Sequence, residues 1–274
     1  MTSAPVTLPR LPDRARVTQA RVARSEWTKF ISLRSTRWSL GVGFLLTIAF
    51  PILFAVVTAT HWAHMSAAER ADRHPLDIAL AGVNVAQLAI AVLGVLVITG
   101  EYSTGMIRSS MIAVPKRLPV LWAKIGVYAV VSFVLMVPSV LIAFFASQKI
   151  LAGHHILQIS FGDPGVARSV FGGAIYVMLV GIFGLGIGSI VRNTAGGIAA
   201  FAGIFFVIPP LLAILPASWN DAISKYLPSE AGRQLFSLHQ GAHSLSPTAG
   251  GLLMLGYCAL TVAVAAILLV RRDV

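Results

Sequence analysis

Few residues in this 274-residue sequence have types and spacings suited to catalysis or metal binding. His61 with His64 and His239 with His243 stand three and four residues apart, and on a helix either spacing puts two imidazoles on one face. Two such imidazoles bind a divalent metal ion when further ligands complete the site. No carboxylate or cysteine completes either set, and histidines are also common where a chain meets the membrane surface. We therefore predict no metal site.

Motifs for nucleophilic catalysis and nucleotide binding are missing from the sequence. It contains no H-E-x-x-H string, no G-x-S-x-G nucleophile elbow and no G-x-x-x-x-G-K-[ST] phosphate loop. Cys258 stands in an apolar block without a residue that would activate it. Gly184, Gly186 and Gly188 lack the final glycine of a dinucleotide fingerprint, and Gly184-x-x-x-Gly188 is instead typical of two helices in close contact. We therefore expect that the chain is not itself an enzyme and holds no cofactor of its own.

The elements that carry these residues are apolar blocks long enough to cross a membrane. The chain is 57% hydrophobic and only 11% charged, with a mean hydropathy of +0.82. A helix needs roughly 20 apolar residues to cross a bilayer. We predict an all-α, polytopic membrane protein whose six transmembrane helices lie near residues 39–60, 78–100, 120–148, 166–191, 195–217 and 249–270. Pro51, Pro138, Pro209 and Pro210 fall inside these spans and predict kinks or breaks.

The distribution of lysine and arginine predicts how the spans are oriented. Fifteen basic residues lie on the side of the N-terminus and six on the other side, where six acidic residues oppose them. By the positive-inside rule both termini face the cytoplasm, so we expect a multi-pass protein of the plasma membrane or the bacterial inner membrane. Topology thereby accounts for the net charge of +11, and nucleic acid is not expected as a partner. About 38 polar and basic residues precede the first block, which predicts a retained anchor rather than a cleaved signal peptide.

The stretch before the first span divides into two parts. Residues 1–16, with three prolines and scattered charge, are expected to form a disordered cytoplasmic arm. In residues 17–36, Ala23, Trp27, Phe30 and Ile31 recur at helical spacing while Arg24 takes another face. This pattern predicts an amphipathic helix along the inner leaflet. The alternative is a basic anchor that serves topology alone.

Polar residues within the spans are few, and the main pair is Asn84 and Gln87 in the second span. These side chains would either line a translocation path or form hydrogen bonds between helices, and we favour the second alternative. No ionisable residue is expected deep in any span. This disfavours a carrier built on intramembrane carboxylates and suits a bulky or amphipathic cargo.

The most informative segment is the predicted cytoplasmic connection between the second and third spans, ITGEYSTGMIRSSMIAVPKRL at 98–118. Ile107, Met111, Val114 and Leu118 follow helical spacing, and Pro115 closes the segment. The spacing predicts a short helix at the cytoplasmic surface. A polar loop of this kind needs no purpose beyond topology, but its combination of residues is specific.

With Glu101 near its start and a Pro-Lys-Arg close, the longer segment ITGEYSTGMIRSSMIAVPKRLPVLWAKI resembles the signature of the permease subunits of ABC-2-type ATP-binding cassette transporters. Two further stretches are similar to that family: SEWTKFISLRSTRWSL at 25–40 and YLPSEAGRQLF at 226–236. With six spans and cytoplasmic termini, the resemblance covers nearly the whole chain apart from the first 15 residues and the loop at 61–76. It implies the ABC-2 permease fold, of the kind found in type V exporters.

The resemblance implies a transporter driven by a separate ATPase subunit, which would bind ATP and Mg²⁺. In that family the amphipathic helix and a coupling helix after the second span lie against the ATPase. A second permease protomer, identical or different, would complete a dimer in the lipid bilayer. Glu101 would pair with a base either on the ATPase or on the chain's own N-terminal helix. The docking candidates implied by position are Glu101, Arg108, Pro115, Lys116 and Arg117.

The leading hypothesis is therefore an ABC-2-type permease subunit that exports a hydrophobic or amphipathic substrate by ATP hydrolysis in its partner. The alternative from another class is a membrane scaffold or sensor that recruits a cytoplasmic protein without moving a solute. A membrane-embedded enzyme is a third interpretation, which the missing catalytic groups disfavour. The sequence names neither the cargo nor the choice between homodimer and heterodimer.

Overall fold

A computed structural model gives the structure of residues 18–107, 112, 117–156, 158–239, 241 and 244–272. Within these ranges the chain forms helices and no strands, and six helical segments are long and apolar enough to cross a membrane. The prediction of an all-α, polytopic membrane protein is confirmed at that level. The α-helices are α1 (Gln19–Ser32), α2 (Arg34–His61), α3 (Ala67–Ala71), α4 (Pro75–Ser103), α5 (Leu118–Gly153), α6 (Val166–Val191), α7 (Thr194–Ala202), α8 (Ile208–Leu212), α9 (Ala217–Ile223), α10 (Pro228–Arg233) and α11 (Pro247–Arg271).

The fifth span, α7 with α8, is a continuous helix whose hydrogen-bonding pattern changes just before two consecutive prolines. A π-helical turn covers Gly203–Val207, and the helix ends at Leu212 rather than near residue 217. Pro209 and Pro210 have no backbone N–H, so the carbonyls one turn earlier lose their usual donors. The ladder adjusts through a wider hydrogen bond from the Ile208 N–H to the Gly203 carbonyl. The irregularity predicted from the prolines therefore takes the form of a π-helical turn.

α2 contains Pro51, and α4 packs closely against α2 at that point. Pro51 cannot donate to the Thr47 carbonyl one turn earlier. Gly82 of α4 lies against this carbonyl, and a Cβ at position 82 would stand 2.3 Å from the Thr47 oxygen. The close approach of the first two spans therefore requires glycine at position 82.

The core of the bundle lies between α4 and α6. In α4 and α6, 61% and 67% of the residues in an 18-residue apolar stretch are buried, compared with 22% in the first span and 17% in the fifth. A Cβ at Gly184 would lie 2.6 Å from the Ala91 carbonyl oxygen, and one at Gly188 would lie 3.1 Å from Val95 Cα. The close helix contact predicted for these two glycines is confirmed. The first and fifth spans instead turn apolar faces outward.

Hydrogen bonds bring helix termini together at the two ends of the bundle. At one end, which we call the α1 end, Arg117 donates to the carbonyls of Leu269 and Arg272 at 3.0 Å each. These bonds join the start of α5 to the end of α11, beside the last turns of α4. At the opposite end, Gln148 of α5 donates to the Pro75 carbonyl at the start of α4 at 3.3 Å. Successive spans thus run in alternate directions.

Candidate functional site

α1 is held by caps at both of its ends. The Thr18 side chain accepts a hydrogen bond from the Arg21 N–H, as an N-cap residue does. Leu33 is extended and ends the helix, and α2 begins at Arg34. The helix is shorter than the predicted stretch 17–36, and a single residue separates it from the first span. α1 and α2 are therefore joined by one extended residue, Leu33.

The buried face of α1 differs from the predicted apolar face. Val22, Glu26 and Phe30, four residues apart, are buried, whereas Trp27 and Ile31 are 44% and 45% exposed. The buried face of α1 includes the acidic Glu26 because two lysines, Lys29 and Lys124, pair with its carboxylate. Trp27 and Ile31 stay outside, where the membrane interface accommodates such side chains.

Glu26 belongs to a buried group of four charges that joins α1, α4 and α5. Lys124 of α5 donates to Glu26 Oε2 at 2.6 Å and to Glu101 Oε1 at 2.8 Å. Lys29 of α1 donates to Glu26 Oε1 at 2.6 Å and to Glu101 Oε1 at 3.3 Å. Each lysine bridges both carboxylates, and each carboxylate contacts both lysines. We call Glu26, Lys29, Glu101 and Lys124 the charge cluster.

The charge cluster is electrically neutral and almost wholly buried. The side chains of Glu26, Glu101 and Lys124 are each 4% exposed, and that of Lys29 is 24% exposed. A buried charge costs several kcal/mol unless its partners and hydrogen bonds are in place, and removing one partner typically costs about 3–5 kcal/mol. The cluster therefore fastens α1 to the second and third spans only as a complete set.

The pKa values of the two cluster members on α1, Glu26 and Lys29, are shifted by the other members of the cluster. Burial alone would raise the pKa of the Glu26 carboxyl, but Lys124 and Lys29 outweigh burial and hold this pKa below its ordinary value of 4.5. Burial alone would lower the pKa of Lys29, but Glu26 and Glu101 outweigh it and raise the pKa above 10.5. Both groups are therefore charged across the physiological pH range.

Little space is left beside the charge cluster. Phe30, Leu33, Val97 and Val127 close around it, and the remaining cavity is about 10 Å³, no larger than one water. Phe30 also packs edge-on against Tyr128 of α5, with ring centroids 6.0 Å apart. The arrangement is too tight to bind a ligand. What it does is hold three helices together.

Of the predicted docking residues, the structure describes Glu101 and Arg117. Glu101 pairs with Lys29 of the chain's own N-terminal helix, the second of the two predicted alternatives, and also with Lys124. Its second oxygen, Oε2, is buried without a hydrogen-bond partner among the described residues. Arg117 is engaged by the last carbonyls of α11. The other candidates, and with them most of the predicted coupling helix, lie outside the described residues: Arg108, Pro115 and Lys116.

Three members of the cluster, Glu26, Lys29 and Lys124, are not singled out by the sequence. Both lysines count there only as charges that set topology. Lys124 is buried inside α5, about 9 Å past the first residue of that helix. The spacing of Glu26 and Lys29 on one helix face is a weak local signal. It does not reveal that Lys124, 98 residues away from Glu26, completes the site.

The polar pair of the second span has two different environments. The Tyr176 hydroxyl of α6 donates to Gln87 Oε1 at 2.5 Å, and Gln87 Nε2 donates to the Asn84 carbonyl at 2.8 Å. Gln87 thus links two spans. The Asn84 side chain is exposed and lines a cavity at the end opposite α1. Arg24, the polar residue predicted for the other face of α1, is exposed.

The histidines are distributed over the end opposite α1. His74, just before α4, stacks on His239 with ring centroids 4.1 Å apart. The His61 ring lies 3.0 Å from the Val57 carbonyl oxygen, and His243 lies outside the described residues. In the part of the chain that the structure describes, no three His, Cys, Asp or Glu side chains are grouped as metal ligands would be.

No protein-family model matches the chain, and no curated protein matches it. The charge cluster and the helices that it joins are therefore the basis for a functional assignment.

Proposed function

We propose that this chain is the membrane-spanning permease subunit of an ABC-2-type transporter, exporting a hydrophobic or amphipathic substrate by ATP hydrolysis in a separate subunit. The observation that supports the proposal best is the charge cluster. It fastens α1 to the two spans that flank the connection at 104–117, the end of α4 and the start of α5. In the family that the sequence resembles, the amphipathic helix and this connection are the parts that contact the ATPase.

The charge cluster makes α1, α4 and α5 move as one body. Three of its four contacts are 2.6–2.8 Å long and three of its four side chains are buried, so separating α1 from either span leaves buried charge without its partner. A force applied to α1 by a cytoplasmic subunit is therefore transmitted to α4 and α5 through ion pairs rather than through a loop. Because α4 lies in the core against α6, the displacement reaches the centre of the bundle.

A second permease protomer would lie against the least buried spans. The first and fifth spans bury only 22% and 17% of their apolar windows and are the natural places for lipid or for another protomer. The protein would thus work as a homodimer or heterodimer with two ATPase subunits in the cell membrane, its α1 end toward the cytoplasm.

The second candidate function is a membrane scaffold or sensor that recruits a cytoplasmic protein through the same surface. Two features favour transport over this alternative. The fifth span contains a π-helical turn, and a polar cavity opens at the end opposite α1. Irregular membrane helices and polar cavities are both common in transporters, and a scaffold requires neither.

The test is whether an ATPase partner depends on the charge cluster for its coupled activity. The tagged chain is purified from its native membranes together with any associated ATPase, and ATP turnover is measured in lipid. Glu101→Gln should lower the coupled turnover about tenfold, equivalent to about 1.4 kcal/mol in activation free energy, while the complex still assembles. The matched control is Arg37→Gln, which removes an exposed charge at the same end of the bundle.

Two results would count against the proposal. One is purification of an intact chain without any ATPase in several mild detergents. The other is equal turnover in the Glu101 and Arg37 variants, with unfolding midpoints that show both are folded. If a partner is recruited but its ATP turnover is the same with and without this chain, the scaffold function is supported instead.

A further inference from the structure

A cavity of about 350 Å³ opens at the end of the bundle opposite α1. One wall is α4. The other is the segment at 230–239, which consists of the last four residues of α10 and the residues that follow it. This volume lies within the range of small-ligand sites. The lining is mainly polar and includes Asp77, Asn84, Glu230, Arg233, Gln234 and His239.

The floor of this cavity lies well below the membrane surface because α10 turns back into the bundle. Gly232 of α10 packs on the Tyr176 ring so closely that a Cβ there would stand 2.4 Å from a ring carbon. Tyr176 lies ten residues into α6, about 15 Å along the helix axis. The hydrocarbon core of a bilayer is about 30 Å thick, so α10 reaches toward mid-depth. Its polar side chains are therefore brought inside the membrane-spanning part of the protein.

One face of α4 contributes polar side chains to the cavity, as a solvated site requires. Asp77, Ala81 and Asn84 share this face, and the side chains of Asp77 and Asn84 are exposed. Asn84 lies about 13 Å past the first residue of α4, where a polar side chain directed at lipid would be costly. The rest of α4 is mostly buried and apolar. A polar face at this depth suits a solvated binding site.

The charged side chains of the cavity form no ion pairs, in contrast to those of the charge cluster. Asp77, Glu230 and Arg233 form no ion pair with one another or with any other described residue, whereas the four members of the cluster are joined by ion pairs. With His239 counted as neutral, two carboxylates against one guanidinium give the cavity a net negative formal charge, and walls of low dielectric strengthen the attraction for a cation. Carboxylates also accept charge-assisted hydrogen bonds from ammonium groups.

An apolar groove of about 540 Å³ lies on the other side of the 234–237 segment, between α6 and α11. Leu235 lines this groove, whereas Gln234 and Phe236 line the cavity. The Arg168 side chain donates to the carbonyls of Leu235 and Ser237 at 3.1 and 2.9 Å and so holds the segment in place. A polar, acidic cavity and an apolar, lipid-facing groove therefore stand side by side at one depth.

From this geometry we infer that the cavity between α4 and the 230–239 segment binds the cationic head group of an amphiphile, with Asp77 and Glu230 as its counter-ions. The inference rests on the proposed transport function and names the substrate class: an amphiphilic amine whose apolar part stays on the membrane side. Asn84 and Gln234 supply polar contacts around the head group, and Arg233 disfavours a second positive charge.

The test uses two probes of equal chain length and opposite charge, hexylammonium and hexanesulfonate. The full chain is placed in nanodiscs of zwitterionic lipid, each probe is titrated by saturation-transfer NMR, and empty nanodiscs give the partition background. Hexylammonium should bind saturably and hexanesulfonate should not. Asp77→Asn and Glu230→Gln should each raise the Kd for hexylammonium about tenfold, as expected for the loss of one charge in a partly solvated cavity.

Controls separate a binding defect from a folding defect. Asp72→Asn removes an exposed acid at the same end but outside the cavity, and it should leave the Kd unchanged. Ala81→Trp fills the cavity without altering charge and should abolish saturable binding. Saturable binding of hexanesulfonate that is lost in Arg233→Gln would overturn the inference, as would hexylammonium binding that is equal in the wild type and both carboxylate variants. No ATPase takes part in this measurement, so its failure is distinct from a failure of the coupling test.

Discussion

The two ends of this bundle contain the same kinds of charged side chain but arrange them in opposite ways. At the α1 end, two carboxylates and two ammonium groups pair completely, and the space beside them is about 10 Å³. At the other end, Asp77, Glu230 and Arg233 surround about 350 Å³ and form no ion pair among the described residues. Paired charges in a closed site hold elements together, whereas unpaired charges in an open site remain available to a ligand.

The difference follows from which helices contribute the charges. The charge cluster uses residues of α1, α4 and α5 that meet in a tight three-helix contact with Phe30 against Tyr128. The cavity instead borders α10, which is only six residues long and packs on Tyr176 of α6. A short re-entrant helix therefore leaves room that three long helices do not.

The largest effect is expected from removing Lys124. Lys124→Met leaves Glu26 and Glu101 buried around a single lysine, so the free energy of unfolding should fall by about 3–5 kcal/mol. Equilibrium unfolding in mixed micelles measures the change. Lys149→Met is the matched control, since Lys149 is exposed on the same helix and should change stability by less than about 0.5 kcal/mol.

A double substitution tests whether neutrality is what matters in the cluster. Lys124→Met with Glu101→Gln leaves Glu26 and Lys29 as a neutral pair. The double variant should therefore be less destabilised than the sum of its two single variants. Additive losses would mean that the four groups act independently and that the contrast between the two ends is only one of volume.

A smaller effect is expected where α10 meets α6. In Gly232→Ala the new methyl group would stand 2.4 Å from the Tyr176 ring, and such overpacking costs about 1–3 kcal/mol. Gly126→Ala is the control because nothing lies within 4 Å of a Cβ at position 126. The displaced α10 should also weaken hexylammonium binding. If both variants behave alike in unfolding and in binding, the re-entrant packing does not shape the cavity.

Acid should loosen the α1 end through Glu26. Its pKa in the folded state lies below the ordinary 4.5, so the contribution of this carboxylate is complete above pH 4.5 and is lost as the pH falls through the lowered pKa. Each unit by which the folded state lowers this pKa contributes about 1.4 kcal/mol to the free energy of unfolding. Unfolding measured from pH 7 downward should show this loss in the wild type and a flatter profile in Glu26→Gln. Equal slopes in the two proteins would contradict it.

Alkali should act on the same contact through Lys29. Because its folded-state pKa lies above 10.5, its contribution is complete below pH 10.5 and is lost as the pH rises through the raised pKa. Lys29→Met should remove that alkaline loss of stability. The same variant should leave hexylammonium binding at the opposite end unchanged, which distinguishes the two regions within one protein.

The sequence predicts the spans and one member of the charge cluster, but it predicts neither the rest of the cluster nor the fold of the cavity. Spans such as α6, predicted and found at 166–191, follow from local apolarity and length alone. Glu101 stands out in the sequence because it directly follows the predicted second span. The other half of the cluster does not, since the contact between Glu26 and Lys124 joins residues 98 positions apart and no sequence periodicity predicts it. The re-entry of α10 depends on Gly232 meeting Tyr176, a tertiary fit that a six-residue pattern does not encode.

The smallest effect is expected in the core beneath the cavity. Tyr176→Phe removes the hydrogen bond to Gln87 Oε1 that joins α6 to α4, and interhelical hydrogen bonds in membranes are worth about 0.6 kcal/mol on average. Tyr226→Phe, at an exposed position, is the control. A loss near the average would mean that neutral polar contacts between spans are weak and that the strong fastening of this bundle is confined to the charge cluster. A loss of about 3 kcal/mol, equal to that of a cluster variant, would instead make the floor of the cavity as rigid as the α1 end.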